Sequence, residues 1–263
     1  MTTISLQDKT ALICGSSQGI GLAIARSFAD AGASCILLSR NEPALKEAVA
    51  SLAGNHPSQQ HEYVVADLAD MEQVNAIARQ FSNRLPVHIL VNNSGGPGPG
   101  PLTEAAPADF VAAFQQHIVT AQLLVQALLP GMKQEGYGRV INIVSTSVRI
   151  PIANLGVSNT TRGAMASWAK TLSNEIAAHG ITVNNLLPGL TETQRLASLI
   201  ATEAKRRGQS EEEVAGEMRL SIPAKRFGQP DELAHLACFL ASPLAAYING
   251  NSIAVDGGRT GCI

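Results

Sequence analysis

Cys14-Gly15-Ser16-Ser17-Gln18-Gly19-Ile20-Gly21 is the stretch of this sequence that decides its fold. It follows a short apolar run typical of a buried strand and precedes a segment with helical periodicity. The glycines allow a tight turn, a close approach of the backbone to a pyrophosphate, and close packing of helix on sheet. A strand, a glycine-rich turn and a helix in this order predict a dinucleotide site, with phosphate on the free N–H groups that open the helix. A turn with a purely structural role is the alternative.

Short β-rich runs alternate with longer helical patterns along the rest of the chain. The predicted strands are 9–14, 34–38, 62–66, 88–92, 139–144, 181–187 and 252–255. The predicted helices are 20–31, 42–53, 71–83, 107–129, 155–179 and 230–241. This alternation predicts an α/β fold with a doubly wound parallel sheet and helices on both faces. Residues 95–101, rich in glycine and proline, must form a loop.

The domain organisation follows from the same pattern. No linker or shift in composition marks a second unit, so we predict one domain over residues 1–263. The stretch 190–225 is interpreted as helices inserted ahead of the last helix–strand unit, where they would serve as a substrate lid. Loops beyond the carboxyl ends of the strands build the ligand crevice in such sheets.

Composition excludes several classes of function. The chain has 263 residues, 45% of them hydrophobic, and a net charge of −2 with no long basic run. Neither a nucleic acid nor a membrane surface is favoured as a partner. We see no secretory signal and no unbroken apolar run that would span a bilayer. The four cysteines form no CxxC pair and are expected to be reduced. We expect a cytoplasmic protein that acts on a small molecule and binds no metal.

The choice between NAD and NADP depends on the residues that end the second predicted strand. An acidic residue there would bind the ribose 2′-hydroxyl and repel a 2′-phosphate, but the chain has Ser39 and Arg40. A guanidinium can bind the phosphate through charge-assisted hydrogen bonds, so we predict NADP rather than NAD. A solvated surface arginine is the alternative. Asp67, which closes the third strand, is placed either to accept from the adenine amino group or to cap the next helix.

These motifs together resemble those of the short-chain dehydrogenase/reductases. The resemblance rests on the glycine-rich turn, Asn92-Asn93-Ser94-Gly95, Ser145, Pro188-Gly189 and Val255-Asp256-Gly257-Gly258, in this order and spacing. The 3-oxoacyl-acyl-carrier-protein reductase-like branch looks most similar, including in the segment 226–234. The resemblance covers about residues 5–258. It implies a seven-stranded Rossmann sheet, NAD(P) in the crevice and a homotetramer.

The resemblance also implies the cofactor contacts. Asn92 would brace the fourth strand beside the cofactor, and Thr193 would meet the nicotinamide carboxamide. The expected cofactor-binding residues are Gly15, Ser17, Gln18, Gly19, Ile20, Gly21, Ser39, Arg40, Asp67, Leu68, Asn93, Gly95, Pro188, Gly189 and Thr193.

The catalytic half of the family pattern is altered in this chain. Ser145 matches the family's catalytic serine, whose hydroxyl bonds the substrate oxygen. A Tyr-x-x-x-Lys pair should follow, but counting forward from Ser145 and back from Gly180 puts Ser158 and Arg162 there. The helix-borne asparagine that completes the family's tetrad falls at His117. The expected catalytic residues are therefore Ser145, Ser158, Arg162 and His117.

The missing tyrosine and lysine change the possible proton path. Ser158 is an alcohol with a pKa far above working pH, and Arg162 stays protonated, so neither relays a proton. Arg162 can still hold ribose hydroxyls and place positive charge near an oxyanion. His117 is either the replacement acid, directly or through water, or a histidine packed between helices. Arg149 is either a contact for an anionic substrate or a solvated side chain.

The sequence leaves three functions open. The first is an NADP-dependent oxidoreductase acting on a small carbonyl or alcohol substrate. The second is a lyase, dehydratase or epimerase that uses Ser145, His117 and Arg162 around an enolate and recycles its cofactor. The third is a non-catalytic dinucleotide-binding or sensing protein, since a fold does not determine a function. The intact glycines and Ser145 favour cofactor binding with some oxyanion chemistry over a non-catalytic protein.

Overall fold

One parallel sheet organises the protein. The computed structural model describes residues 3–82 and 86–262. Within these residues seven strands run in the order β3-β2-β1-β4-β5-β6-β7. They are β1 (Thr10–Cys14), β2 (Ser34–Ser39), β3 (Glu62–Val65), β4 (Ile89–Asn92), β5 (Gly138–Ile143), β6 (Ile181–Pro188) and β7 (Ser252–Val255). Because β1 pairs with both β2 and β4, the strand order reverses beside β1. The doubly wound seven-stranded sheet is confirmed, and each strand ends within one residue of its predicted bounds.

Helices cover both faces of the sheet. They are α1 (Gly19–Asp30), α2 (Glu42–Ala50), α3 (Met71–Ser82), α4 (Pro107–Phe114), α5 (Thr120–Gln134), α6 (Gly156–Ile176), α7 (Gln194–Arg207), α8 (Glu211–Leu220) and α9 (Pro230–Ala241). Position 83 of the third predicted helix, and the ends of the predicted domain, lie outside the described residues. The stretch 190–225 contains α7 and α8, so its predicted helical character is confirmed.

Alternate residues of the central strands face two separate apolar layers. Ile13 packs into the layer that contains α1, α2 and α9, whereas its neighbour Leu12 packs into the layer of α3, α5 and α6. This is the period-two alternation of a strand. Since both faces are covered by helices, β1 and β2 are apolar along nearly their whole length.

The helix predicted over 107–129 is longer than expected and is interrupted. It consists of α4, a π-helical turn at Gln115–Val119, and α5, which continues past Pro130. Proline lacks the N–H that a helix interior requires, which is why the sequence predicts an end there. Leu128 and Met132 are both buried on either side of it. Their packing keeps the chain helical for one more turn, as tertiary contacts commonly do.

A row of hydrogen-bonded amides crosses four strands inside the protein. Asn92 Nδ2 donates to Asn142 Oδ1 at 2.8 Å, and Asn142 Nδ2 donates to Asn185 Oδ1 at 2.8 Å. Asn185 Nδ2 completes the row by donating to Ser252 Oγ at 3.0 Å. These residues are direct register partners on β4, β5, β6 and β7. Because an unpaired buried amide is costly, the row disfavours any slipped register of these strands.

We expect Asn142→Ala to lower the unfolding free energy by about 2–4 kcal/mol. The change leaves the donor of Asn92 and the acceptor of Asn185 buried without this partner, and each loss costs about 1–3 kcal/mol. Urea denaturation measures the effect. Asn55→Ala is the matched control because Asn55 is exposed, and such surface changes stay within about 0.5 kcal/mol. Similar losses of unfolding free energy in both variants would show that the buried amide row stabilises the fold no more than a surface side chain does.

Candidate active site

The glycine-rich turn between β1 and α1 is too closely packed to accept side chains. A Cβ at Gly21 would lie 2.3 Å from the Gly15 carbonyl oxygen. Gly15 has a φ of +57°, and a Cβ there would lie 2.7 Å from the Asn93 carbonyl oxygen. The Asn93 side chain also donates to the carbonyl oxygens of Cys14 and Gly15 at 3.2 and 3.1 Å. The segment after β4 therefore holds the turn in place, and the turn requires glycine.

The start of α1 is open to a ligand. Gln18 precedes the helix in an extended conformation, and its side chain forms no capping hydrogen bond with any residue that the structure describes. The first N–H groups of a helix have no partner within the helix, and together they favour an anion. Ser17, Gly19 and Ile20 are half-buried beside Gln18. This end of α1 has the geometry of a phosphate site.

Ser16 is a structural residue that the sequence analysis missed. Its side chain is fully buried. The hydroxyl donates to the Ile13 carbonyl oxygen at 2.7 Å and accepts from the Leu38 N–H at 3.0 Å. Ser16 thereby ties the turn to both β1 and β2. A small polar residue directly after a buried strand was the available signal.

Arg40 and Asp67 lie together at the ends of β2 and β3. Their charged groups are 3.6 Å apart, with Arg40 80% exposed and Asp67 37% exposed. Asp67 Oδ1 accepts from the Ala69 N–H at 3.0 Å, whereas α3 is capped by Asp70, which accepts from the Gln73 N–H at 3.2 Å. The helix-capping alternative for Asp67 was therefore wrong. Ser39 Oγ, also at this edge, accepts from a backbone N–H at 3.3 Å. An exposed Arg40 has N–H groups available for a phosphate.

Ser145 follows β5 at the carboxyl end of the sheet. Its Oγ accepts from the Ser147 N–H at 3.1 Å. That bond leaves the Ser145 hydroxyl hydrogen free to donate to another oxygen. Arg162, on α6, donates to the Ile143 carbonyl oxygen at 3.1 Å, two residues before Ser145 in the chain. Ser158 is one turn before Arg162, and both of these side chains are buried.

His117 lies in the π-helical turn between α4 and α5, and its ring is buried. Its Nδ1 is 2.7 Å from Ser94 Oγ, a contact that the sequence analysis did not foresee. Its Nε2 is buried and has no hydrogen-bond partner among the described residues. His117 and Arg162 line the same cavity of about 20 Å³, which has room for about one water molecule. π-Helical turns are frequent at functional sites.

Burial and nearby charge determine the ionisation of these two groups. Burial, followed by the positive charges of Arg162 and Arg195, lowers the pKa of His117 to about 3. Burial, followed by the charge of Arg195, lowers the pKa of Arg162 to about 10. Near neutral pH, His117 is therefore an uncharged imidazole, while Arg162 remains a cation. An imidazolium is not available here as the resting proton donor.

The other expected cofactor contacts surround the same crevice. Pro188 ends β6, and a Cβ at Gly189 would lie 2.6 Å from Asp256 Cα, so β6 and β7 approach closely there. Thr193 Oγ1 caps α7 by accepting from the Leu196 N–H at 3.4 Å. A Cβ at Gly19 would lie 3.5 Å from the Thr193 methyl group, so α7 begins beside the glycine-rich turn.

Leu68 and Gly95 complete the expected set. Leu68 is buried and lines the cavity beside His117. Gly95 follows Ser94 in the loop after β4, where a Cβ would meet no atom within 4 Å. Both residues lie at the carboxyl ends of the strands, where the crevice of such a sheet is expected.

A second arginine that the sequence analysis missed reaches this region. Arg195, in the first turn of α7, donates to the Gly96 carbonyl oxygen at 3.4 Å. A Cβ at Gly96 would lie 3.1 Å from Arg195 Nη2 and 3.5 Å from Arg162 Nη2. Arg149, the anion contact considered from the sequence, instead donates to the Ser252 carbonyl oxygen at 3.0 Å. No sequence pattern links positions 96, 162 and 195.

Two further features bear on the class of the protein. Within residues 3–82 and 86–262, no three His, Cys, Asp or Glu side chains are arranged to hold a metal ion. No helix in the same part of the chain is both long and apolar enough to cross a membrane.

Comparison with known proteins gives the family. A family model described as Enoyl-(Acyl carrier protein) reductase matches residues 15–260. The chain belongs to the short-chain dehydrogenase/reductase family. The NADPH-dependent reductase BacG of Bacillus subtilis (strain 168) is 32% identical over 254 residues, covering 96% of this chain and 98% of BacG. The 3-oxoacyl-(acyl-carrier-protein) reductase FabG of Aquifex aeolicus (strain VF5) is 31% identical, over 97% of this chain and 98% of FabG.

A solved structure agrees with this assignment. The crystal structure of L-sorbose reductase from Gluconobacter frateurii, complexed with NADPH and L-sorbose, has a TM-score of 0.93 and 32% identity to this short-chain dehydrogenase/reductase. The match covers 100% of both chains. The relatives are named oxidoreductases, and this chain is an enzyme of their family.

We expect His117 to make the folded enzyme sensitive to acid. The ordinary pKa of 6.5 applies to the unfolded chain, whereas the pKa in the folded protein is about 3. The unfolded state therefore binds more protons below pH 6.5, so stability is complete above that pH and is lost as the pH falls. Between about pH 7 and about pH 5, the wild type should lose about 2 kcal/mol more unfolding free energy than His117→Asn.

Urea denaturation of both proteins at the two pH values measures this difference. The other histidines, including the buried His88, are present in both proteins and cancel in the comparison. An identical loss in wild type and variant would mean that the folded protein does not suppress protonation of His117.

Proposed function

We propose that this enzyme is an NADP-dependent oxidoreductase that transfers a hydride between its cofactor and a small carbonyl or alcohol substrate. The observation that carries the proposal is the glycine-rich turn. Gly15 and Gly21 leave no space for a Cβ, while the uncapped start of α1 presents N–H groups to a phosphate. These residues fit a dinucleotide. BacG is named an NADPH-dependent reductase, which supports the same cofactor here.

Different residues around the crevice would contact different parts of the cofactor. The start of α1 would hold the pyrophosphate, and Arg40 with Ser39 would hold the 2′-phosphate. Asp67 and Leu68 would border the adenine. The nicotinamide half would lie among Asn93, Gly95, Pro188, Gly189 and Thr193.

The residues that face the substrate would act by hydrogen bonding and charge. Bound NADPH supplies the hydride for carbonyl reduction. Ser145 donates its free hydroxyl hydrogen to the substrate oxygen. Arg162 places a fixed positive charge near the alkoxide that develops, and a buried charge interacts more strongly than an exposed one. We place Ser158 and Arg162 at the positions of the family's tyrosine and lysine. They would supply a hydroxyl and a positive charge, but neither is an acid of suitable pKa.

Water is the proposed source of the proton. His117 is neutral and Arg162 does not release its proton near neutral pH, because their pKa values are about 3 and about 10. Nε2 of His117 is buried in the wall of a cavity that has room for about one water. His117 would hold this water, which would give one proton to the alkoxide, and the hydroxide left behind would take up a proton from bulk solvent. The low pKa also makes His117 a weak base, which disfavours the lyase, dehydratase and epimerase alternatives.

The domain and assembly proposals rest on other surfaces. We propose a single domain in which α7 and α8 form the substrate lid. The lid is supported by α7, which begins beside the glycine-rich turn and contacts Gly96 through Arg195. A homotetramer is supported by α4, on which Val111 is 58% and Phe114 46% exposed. The four cysteines are free thiols, in keeping with the proposed cytoplasmic location.

Cofactor choice gives a direct test. The wild type should bind NADPH more tightly than NADH, and Arg40→Gln should weaken NADPH binding about tenfold by removing one charge-assisted contact. NADH affinity should not change. Calorimetry at low salt measures both, and Arg26→Gln is the control because Arg26 is exposed on α1, where its guanidinium donates to Ser51 Oγ at 3.3 Å. Equal affinities for the two cofactors in the wild type would remove Arg40 from this role.

The altered catalytic pair gives a second test. Ser158→Tyr together with Arg162→Lys should raise reduction of simple carbonyl compounds by about ten- to a thousandfold, the range of a placed general acid. Either change alone should gain little, because the tyrosine needs the ammonium to lower its pKa. The rate of NADPH consumption measures this effect. Circular dichroism must first confirm folding, because Ser158 is only 8% exposed.

Several results would contradict the proposal. A wild type that already reduces simple carbonyl compounds as fast as the double variant would show that the proton path is complete. Product formation without net cofactor consumption would instead support the non-redox alternative. Cofactor binding without any turnover would support the sensing protein.

A further inference from the structure

We propose that the substrate of this enzyme carries an anionic group, a carboxylate or a phosphate, which Arg162 and Arg195 bind together at Gly96. The inference deepens the proposed function and rests on it. It assigns a role to Arg195 and limits the substrate class to small oxo or hydroxy acids and their phosphorylated counterparts.

The guanidinium groups of Arg162 and Arg195 both lie beside Gly96. Arg162 reaches Gly96 from α6 and Arg195 reaches it from α7, and a Cβ at Gly96 would lie 3.5 and 3.1 Å from their Nη2 atoms. Each guanidinium has one backbone carbonyl partner, Ile143 for Arg162 and Gly96 for Arg195. Since a guanidinium has five N–H donors, most of those donors stay available to a ligand.

The pair also lacks a counter-charge. In the part of the chain that the structure describes, no carboxylate forms an ion pair with Arg162 or Arg195. Arg162 is only 8% exposed, and a buried cation beside a second cation is costly. Burial, followed by the charge of Arg195, lowers the pKa of Arg162. An oxyanion between the two would offset this repulsion and accept hydrogen bonds from both.

The position of Arg195 in its helix supports the same conclusion. A cation is disfavoured at a helix N-terminus, and the other basic residues of α7, at 205–207, lie in its last turn where the helix dipole favours them. Arg195 alone stands in the first turn, which carries no acidic residue. The free N–H groups of that turn would add to the attraction for an anion.

The position of the two arginines indicates that the anion belongs to the substrate rather than to the cofactor. The proposed phosphate positions are the start of α1 and Arg40, whereas Gly96 follows the Asn93–Gly95 segment on the catalytic side. Arg162 connects Gly96 to the end of β5, where Ser145 stands ready for the substrate oxygen. One end of a small substrate would therefore meet Ser145 while its anionic group meets the two arginines.

The experiment compares two probes that differ in charge and by one methyl group, benzoylformate and its methyl ester. Calorimetry on the complex with NADP⁺ should show the acid binding at least about tenfold tighter than the ester, because a hydrogen bond to a charged group is worth about 1.5–3 kcal/mol. Arg195→Gln should remove about tenfold of the acid's affinity and leave the affinities of the ester and NADP⁺ unchanged. Lys205→Gln, with the same loss of charge on the far end of α7, should behave as wild type.

A competition arm distinguishes the two anions. Inorganic phosphate that displaces benzoylformate at lower concentration than acetate does would assign the site to phosphorylated substrates, and the reverse order would assign it to carboxylates. Displacement by either should weaken with added salt.

The outcomes that overturn the proposal differ from those that overturn the function. Equal affinities of acid and ester in the wild type, or an acid preference retained in Arg195→Gln, would remove the anion site while leaving the oxidoreductase intact. A weaker affinity for NADP⁺ in Arg195→Gln, with the acid preference kept, would assign Arg195 to the cofactor. Absence of NADP⁺ binding in the wild type would instead refute the proposed function itself.

Discussion

The contact of Gly21 with the backbone of Gly15, held from the far side by Asn93, is the constraint on which the site depends. It brings the start of α1 against β1 at the place where the order of the strands reverses. Crevices of open α/β sheets lie at this reversal. Any side chain at Gly21 would displace α1 because a Cβ would lie 2.3 Å from a carbonyl oxygen. The N–H groups that would bind phosphate are thereby fixed in direction before a ligand arrives.

The amide row beneath the crevice supports the other half of the site. Asn92, Asn142 and Asn185 connect the strands that lead to Asn93, Ser145 and Pro188. A slip of one residue between any two of these strands would leave buried amides unpaired. The row therefore gives the carboxyl ends of β4, β5 and β6 a defined relative position. A site built from three separate strands needs such a constraint to hold its groups in one geometry.

In the proposed active site, positive charge would take the place of acid–base chemistry. Arg162 is buried at the position that we propose for the family's lysine, and burial of the His117 ring, followed by the charges of Arg162 and Arg195, keeps that imidazole neutral. A lysine in a similar setting can lower the pKa of a tyrosine, but Ser158 offers nothing to titrate. In the proposed site, serine at 158 would remove the proton donor, whereas arginine at 162 introduces a planar group with five donors, which suits the recognition of oxyanions. The loss of an acid and the gain of the proposed anion site would thus occur at two residues one helical turn apart.

The sequence by itself determined the strands, the glycine-rich turn and the family, because strand alternation and turn stereochemistry act over a few neighbouring residues. It also indicated Ser145, Ser158 and Arg162 through spacing along the chain. Only the tertiary structure decided that α5 continues past Pro130 and that Asp70 rather than Asp67 caps α3. It also decided that Arg195 and Arg162 lie together at Gly96, whereas Arg149 donates to the Ser252 carbonyl oxygen. These outcomes depend on contacts between segments far apart in the chain, and the packing of the helices on the sheet sets those contacts rather than any local pattern.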